Sequence, residues 1–131
     1  GALFQTAFDH LSEGGEFIIV LNHPCFRIPR QSSWGVDEAK KLQYRRIDRY
    51  LAPLEIPIQT HPGKGGESVT TWSFHRPLSY FTTLLSETGF VLTHLEEWCS
   101  DKKSAGACAS MENRSRKEFP LFLTLVAKKL S

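Results

Sequence analysis

The apolar residues of this chain recur in two rhythms, helical near each glycine-ended segment and strand-like in short unbroken runs. In residues 3–11, LFQTAFDHL, Phe4, Phe8 and Leu11 fall on one helical face with Leu3 and Ala7 beside them. Gly14 and Gly15 then supply residues that end a helix at little steric cost. Residues 17–21 are five apolar residues in a row. Lacking alternation, they predict a strand covered on both faces, as in a parallel α/β sheet. The run breaks at Asn22, His23 and Pro24 and turns basic.

The middle of the chain follows another pattern. Residues 37–51, DEAKKLQYRRIDRYL, predict a helix, with Asp37 as its cap and Leu42, Ile47, Tyr50 and Leu51 at roughly helical spacing. Residues 54–60 and 68–74 are β-like, and the intervening HPGKGGE makes an antiparallel hairpin. Pro57 confines the first of these strands to an edge. Alternation in the second puts Trp72 and Phe74 on one face.

Pro77 suits the first turn of a helix. The segment PLSYFTTLLSET carries Leu78, Phe81 and Leu85 on one face, with Leu84 alongside, and Gly89 ends it. Residues 90–95 predict the next strand. Residues 99–118 are polar and rich in small side chains, a connection long enough to be mobile or functional. FPLFLTLVAKK closes the chain as a strand, apolar on both faces over residues 121–126. Three strands, two of them apolar on both faces, need more cover than two helices and a hairpin give. The pattern therefore predicts a partial domain, or one completed by association.

Composition narrows this picture by exclusion. The 131 residues fit one domain or part of one, and 40% hydrophobic with 23% charged residues is ordinary for a globular chain. No apolar run reaches the length of a membrane span, and no basic-then-apolar leader opens the chain. A net charge of +2 is too balanced to argue for nucleic acid. Cys25, Cys99 and Cys108 lack metal-ligand spacing and read as reduced thiols of a cytoplasmic protein, with no metal site.

Three stretches taken together, AFDHLSEGGEFIIVLNHPCF, FHRPLSYFTTLLSETGFVLTHLEEW and FPLFLTLVAKK, resemble the C-terminal half of a class I S-adenosylmethionine-dependent methyltransferase. The likeness is to the small-molecule branch with an H-R-P-L-S-x-Y element ahead of L-x-x-x-G-F. It implies an α/β fold in which residues 16–21, 90–96 and 119–128 are strands five, six and seven of a Rossmann-like sheet, the seventh antiparallel. Residues 1–131 are then one partial domain, and residues 24–75 an inserted lid built of a helix and a β-hairpin. The resemblance implies S-adenosylmethionine as cofactor and a small-molecule methyl acceptor as substrate. The family's glycine-rich turn after the first strand, and the acidic residue after the second, have no counterpart here. GKGGE at 63–67 is glycine-rich but lies in a hairpin, the wrong context for a cofactor loop. At about 30 residues per βα unit, roughly 90 residues carrying the cofactor site are expected upstream, and the chain alone is expected to be inactive.

Methyl transfer needs alignment, exclusion of water and at times removal of a proton, so it leaves faint marks in a sequence. His23 follows the first strand, at the sheet edge where α/β folds bind ligands, and its imidazole suits a general base. It equally suits a plain strand-ending turn. His75 re-enters the body from the other root of the insertion and is the second catalytic candidate. Arg76 suits a substrate carboxylate or phosphate, or an acidic neighbour such as Glu96 or Glu97. Trp34, Tyr44 and Trp72 are candidates for substrate contact, against the simpler role of packing the lid. The basic stretch within residues 40–49 is a solvated helix face, or the contact surface by which a stand-alone binding module, or a catalytically dead methyltransferase relative, holds a protein or nucleic acid. The strand at 16–21, left without its neighbour, predicts a dimer or higher assembly through its edge.

Overall fold

The computed structural model describes residues 2–60 and 69–130; the GKGGE stretch lies outside them. In chain order the elements are α1 (Ala2–His10), β1 (Glu16–Asn22), β2 (Ser32–Asp37), β3 (Leu42–Ile47), β4 (Leu54–Thr60), β5 (Val69–His75), α2 (Leu78–Thr88), β6 (Phe90–Trp98), α3 (Ala109–Glu118) and β7 (Phe122–Lys129). The body is a three-stranded sheet in the order β1-β7-β6. Its central strand β7 runs antiparallel to both neighbours, with Phe17 opposite Ala127, Leu21 opposite Leu123, and Trp98 opposite Phe122. β1 and β6 are thus parallel to each other.

α1 and α2 cover one face of this sheet. Phe4, Leu85, Phe90 and Ala127 are buried there, packed by Phe8, Phe17 and Ile19. Rings meet edge to face, Phe4 on Phe17 at 5.5 Å and Phe8 on Phe90 at 5.3 Å, geometry that adds about 1 kcal/mol per pair beyond area burial. Gly89 ends α2 at φ 107°, and a Cβ there would meet the Phe8 ring at 3.0 Å. Conformation and space both require glycine at this position. Lys129 ties the last strand to the first helix, its Nζ donating to the carbonyls of Phe8 and Leu11 at 2.7 and 2.9 Å. These are orphan carbonyls at the end of α1, which a cation there satisfies.

The other face departs from the expectation of burial on both sides. Ile18 and Val20 are 59% and 69% exposed, while their β1 neighbours Phe17 and Ile19 pack under the helices. Both helices dock on the same side, so the apolar residues of the opposite side look outward. β7 is central and fares better: Phe122, Thr124 and Val126 on that face are half-buried, and Leu123, Leu125 and Ala127 under the helices are fully buried.

The insertion is two hairpins rather than a helix and a hairpin. β2 pairs with β3 and β4 with β5, both antiparallel. Residues 38–41 form a tight turn closed by Lys41 at φ 53°. Asp37 does cap, its Oδ1 accepting the Lys40 N–H at 3.1 Å, but the turn reverses instead of winding on. Two contacts decide this. Tyr44 lies across Gly35, where any side chain would collide with its ring. Arg45 turns inward, its guanidinium 4.9 Å from the Trp34 ring and donating to the Phe26 carbonyl at 2.7 Å. Packing of this kind overrides a weak helical propensity. Ile28, Leu54 and Ile56 form the insertion's own small core with Ile47 and Tyr50 at its border.

Residues 99–118, read as a loop, contain α3. Its only large apolar residue is Met111, so no stripe announced it. Polar contacts hold it: Ser115, buried, bonds the Gln43 side chain, and the Ser104 N–H donates to Asn113 Oδ1 at 2.8 Å.

Candidate functional site

β1 ends at the insertion's first root and β5 at its second. The two meet around a cleft of about 430 Å³. Leu21, Asn22 and Pro24 line it from the first root, and Trp72, His75 and Arg76 from the second. The two roots thus converge at the carboxyl end of a sheet strand, where α/β folds bind ligands, with His75 but not His23 lining the cleft. A second cleft, about 470 Å³ between the β2–β3 turn and the start of α3, contains none of the predicted site residues.

His75 is 4% exposed, and its Nε2 lies 2.7 Å from the Tyr50 carbonyl. A carbonyl only accepts, so Nε2 carries a proton and donates it, and in the neutral ring Nδ1 is the acceptor. Nδ1 has no partner among the described residues, and no buried side-chain nitrogen there lacks one. The residue lines the cleft. Tyr50 fixes the arrangement from below. Its hydroxyl accepts the Leu78 N–H at 3.0 Å, which satisfies an orphan donor at the start of α2. Burial, foremost, pushes the Tyr50 hydroxyl above its ordinary pKa.

His23 is placed differently. It is 2% exposed and does not line the cleft. Its Nδ1 accepts the Cys25 N–H at 3.2 Å, so Nε2 carries the proton and donates to Glu97 Oε2 at 2.6 Å. With both nitrogens committed, His23 ties the end of β1 to β6 across the central strand, and its ring packs on Phe26 at 5.0 Å. Of the two histidines, only His75 lines the cleft and has a ring nitrogen without a partner among the described residues.

Arg76 is at the cleft but pairs with no acid among the described residues. Its Nη1 donates to the carbonyls of His75 and Leu54 at 2.8 and 3.3 Å, and the guanidinium lies 5.7 Å from the Tyr80 ring. Glu97 is taken by His23, and Glu96 by His94 at 2.8 Å. Trp72 lines the cleft and is 56% exposed. Trp34 and Tyr44 are not there. Trp34 stacks between Arg45 and Phe119, and Tyr44 sits over Gly35. Packing is what these two aromatics do.

Sequence reasoning missed Glu97 as the partner of His23, and it missed Arg27. Arg27 lines the cleft four residues beyond His23, with its guanidinium 5.1 Å from the Phe122 ring. The signal available was position alone: a basic residue just past a strand that ends at a ligand-binding edge. The basic stretch at 40–49 forms no helix face, since it is split between a turn, an inward Arg45 and an outward Arg46. Among the described residues no cluster of three or more His, Cys, Asp or Glu is placed to hold a metal, and no helix is long and apolar enough to cross a membrane.

No family model and no curated protein matches the chain. Solved structures do. An S-adenosylmethionine dependent methyltransferase from Mesorhizobium loti aligns at TM-score 0.66 and 29% identity, over 97% of this chain and 54% of its own. A structure from Listeria monocytogenes, ascribed to the same class, aligns at TM-score 0.64 and 25% identity, over 98% of this chain and 54% of its own. The chain thus spans about half the length of these structures, and its mixed α/β fold is that of the C-terminal half of a class I methyltransferase.

Proposed function

We propose that this chain is the acceptor-side part of an S-adenosylmethionine-dependent methyltransferase. On this reading the cleft at the end of β1 holds a small-molecule methyl acceptor, and His75 takes the proton that the acceptor gives up. The observation that carries the reading is the His75 ring, which lines the cleft and is held through Nε2 by the Tyr50 carbonyl, so that in the neutral ring Nδ1 is the nitrogen that accepts a proton. General bases need that combination of fixed tautomer and free lone pair. Trp72 gives the acceptor an apolar wall and Arg76 a positive rim. His23 acts at one remove, holding the end of β1 in place through Glu97.

The described residues do not by themselves fit the cofactor. None of them forms a glycine-rich turn joining a buried strand to a helix, the element that cradles such a ligand. On this reading the cofactor is held chiefly by residues other than the described ones, the isolated chain is inactive, and the whole works in the cytoplasm. The outer edge of β1 is unpaired among the described residues, and Ile18 and Val20 are exposed beside it. That edge and face are where the cofactor half docks, and in the isolated chain a second copy takes its place. Light scattering of the isolated chain then gives a dimer or larger species; a monomer at high concentration speaks against the docking face.

Conversion of S-adenosylmethionine to S-adenosylhomocysteine, followed for a longer protein that includes the chain against a panel of small phenols and amines, tests the reading. His75→Ala should lower kcat about 10²–10⁴-fold and leave cofactor affinity unchanged, as loss of a general base does. An unimpaired His75→Ala enzyme removes His75 from the reaction. Equal loss of cofactor affinity assigns it to the wrong side of the site.

A further inference from the structure

The cleft carries charge of one sign only. Arg27 and Arg76 line it, and no Asp or Glu does among the described residues. The two guanidinium groups are not equivalent. Arg76 spends the donors of its Nη1 on the His75 and Leu54 carbonyls, which fixes that end of its guanidinium to the backbone. Arg27 is half-buried, has its guanidinium carbon 5.1 Å from the centre of the Phe122 ring, and has neither a hydrogen-bond acceptor nor an ion-pair partner for its side chain among the described residues. A guanidinium with its donors uncommitted presents a fork of N–H groups that matches the two oxygens of a carboxylate.

Positive charge is also crowded here. Arg45, tied to the Phe26 carbonyl and the Ser32 hydroxyl, is held below its ordinary pKa by burial first and by the nearby charge of Arg27 second. A half-buried cation that faces another cation and has no counter-ion is costly unless something outside the chain supplies one. Opposite Arg27 the cleft turns apolar: Trp72 and Phe74 are 56% and 64% exposed, and Phe81 also lines it. A volume of about 430 Å³ suits a body of one or two rings.

We propose that the acceptor is a carboxylic acid with a flat apolar body, and that Arg27 is the residue that binds its carboxylate. This rests on the cleft being the acceptor site, and it adds the substrate class. Arg27 thereby also sets orientation, holding one end of the molecule while the other reaches His75.

The test is binding, with no cofactor and no turnover. 2-Naphthoate and its neutral amide, 2-naphthamide, are titrated into the 131-residue chain by calorimetry. The acid should bind about tenfold tighter than the amide, the increment of a charge-assisted pair. Arg27→Met, which keeps the apolar stem over Phe122, should abolish that preference and change amide affinity by no more than about twofold. Arg27→Lys should restore part of it. Acid binding should weaken with added salt while amide binding does not. Equal affinity of the wild-type chain for acid and amide overturns the proposal. So does an acid preference that survives in Arg27→Met, or one insensitive to salt. Should Arg27→Met fail to fold, the wild-type acid–amide ratio and its salt dependence still decide. A null result here leaves methyl transfer to a neutral acceptor standing, whereas absence of methyl transfer leaves the acid preference intact, so the two readings fail separately.

Discussion

The sheet body and the insertion meet the same packing problem by different means. The body stacks helices on a sheet and fills the gap with aromatic rings, four phenylalanines in edge-to-face or tilted contact around Leu85 and Ala127. The insertion's apolar core among the described residues is Ile28, Leu54 and Ile56, and its two hairpins are held by side chains that donate to backbone carbonyls: Arg45 to Phe26, His75 to Tyr50, Arg76 to Leu54. The body is thus a hydrophobic construction, and the insertion a polar lattice over a small core. The difference matters for function, because two members of that lattice, His75 and Arg76, are also cleft residues. Binding at the cleft and order in the insertion are therefore coupled through the same hydrogen bonds.

The sharpest contrast comes from cutting the two cores. Leu85→Ala should cost about 3–5 kcal/mol, as large-to-small core changes do, and should lower hydrogen-exchange protection throughout the chain. Ile28→Ala should cost about 2–4 kcal/mol, but with protection lost chiefly over residues 24–75. If Ile28→Ala unfolds β1, β6 and β7 to the same extent, the two regions are one cooperative unit and the contrast is wrong.

Next in size is Arg45→Ala. It strands the Phe26 carbonyl and one bond of Ser32, and removes the cation stacked on Trp34. The expected loss is about 1–3 kcal/mol, measured by urea denaturation, with the β2–β3 hairpin loosened and the helix-covered sheet unaffected. A change inside a few tenths of a kcal/mol would mean the polar lattice adds little.

How far the sequence could be read follows the same divide. The body was legible because it is hydrophobic: α1, α2, β1, β6 and β7 coincide with apolar runs or stripes, and glycines mark the helix ends. What was not legible in the body was how much cover each strand receives, which depends on where the helices dock. The insertion was legible only where turns declared it, as between β4 and β5. Leu42, Ile47, Tyr50 and Leu51 fit a helix by spacing, and nothing local revealed that Arg45 would turn toward a carbonyl 19 residues earlier. α3 was hidden for the related reason that it has no apolar face. At the site, strand-end position was enough to propose His23, but the cleft at the insertion's roots is lined by Pro24 and His75 and not by His23. The commitment of His23 to Glu97, 74 residues on, was beyond local reasoning.

Tyr50→Phe should have the smallest effect, about 1 kcal/mol at neutral pH for the lost bond to the Leu78 N–H. Its pH dependence is more telling. The folded hydroxyl titrates above its ordinary value near 10, with burial the leading cause. Its contribution is then fully present below pH ~10 and is lost as pH rises through the folded value, because the unfolded chain ionises first. Wild-type stability should fall above pH 10 more steeply than that of Tyr50→Phe; parallel curves would place the hydroxyl in solvent.

The central claim, that this chain is the acceptor-side half of a methyltransferase fold, is tested most directly by titrating S-adenosylmethionine in parallel into the 131-residue chain and into a longer protein that carries it. Saturable binding by the longer protein, with no saturable heat from the chain alone at millimolar ligand, is the predicted result. Tight binding by the 131 residues themselves, or none by either protein, would contradict it.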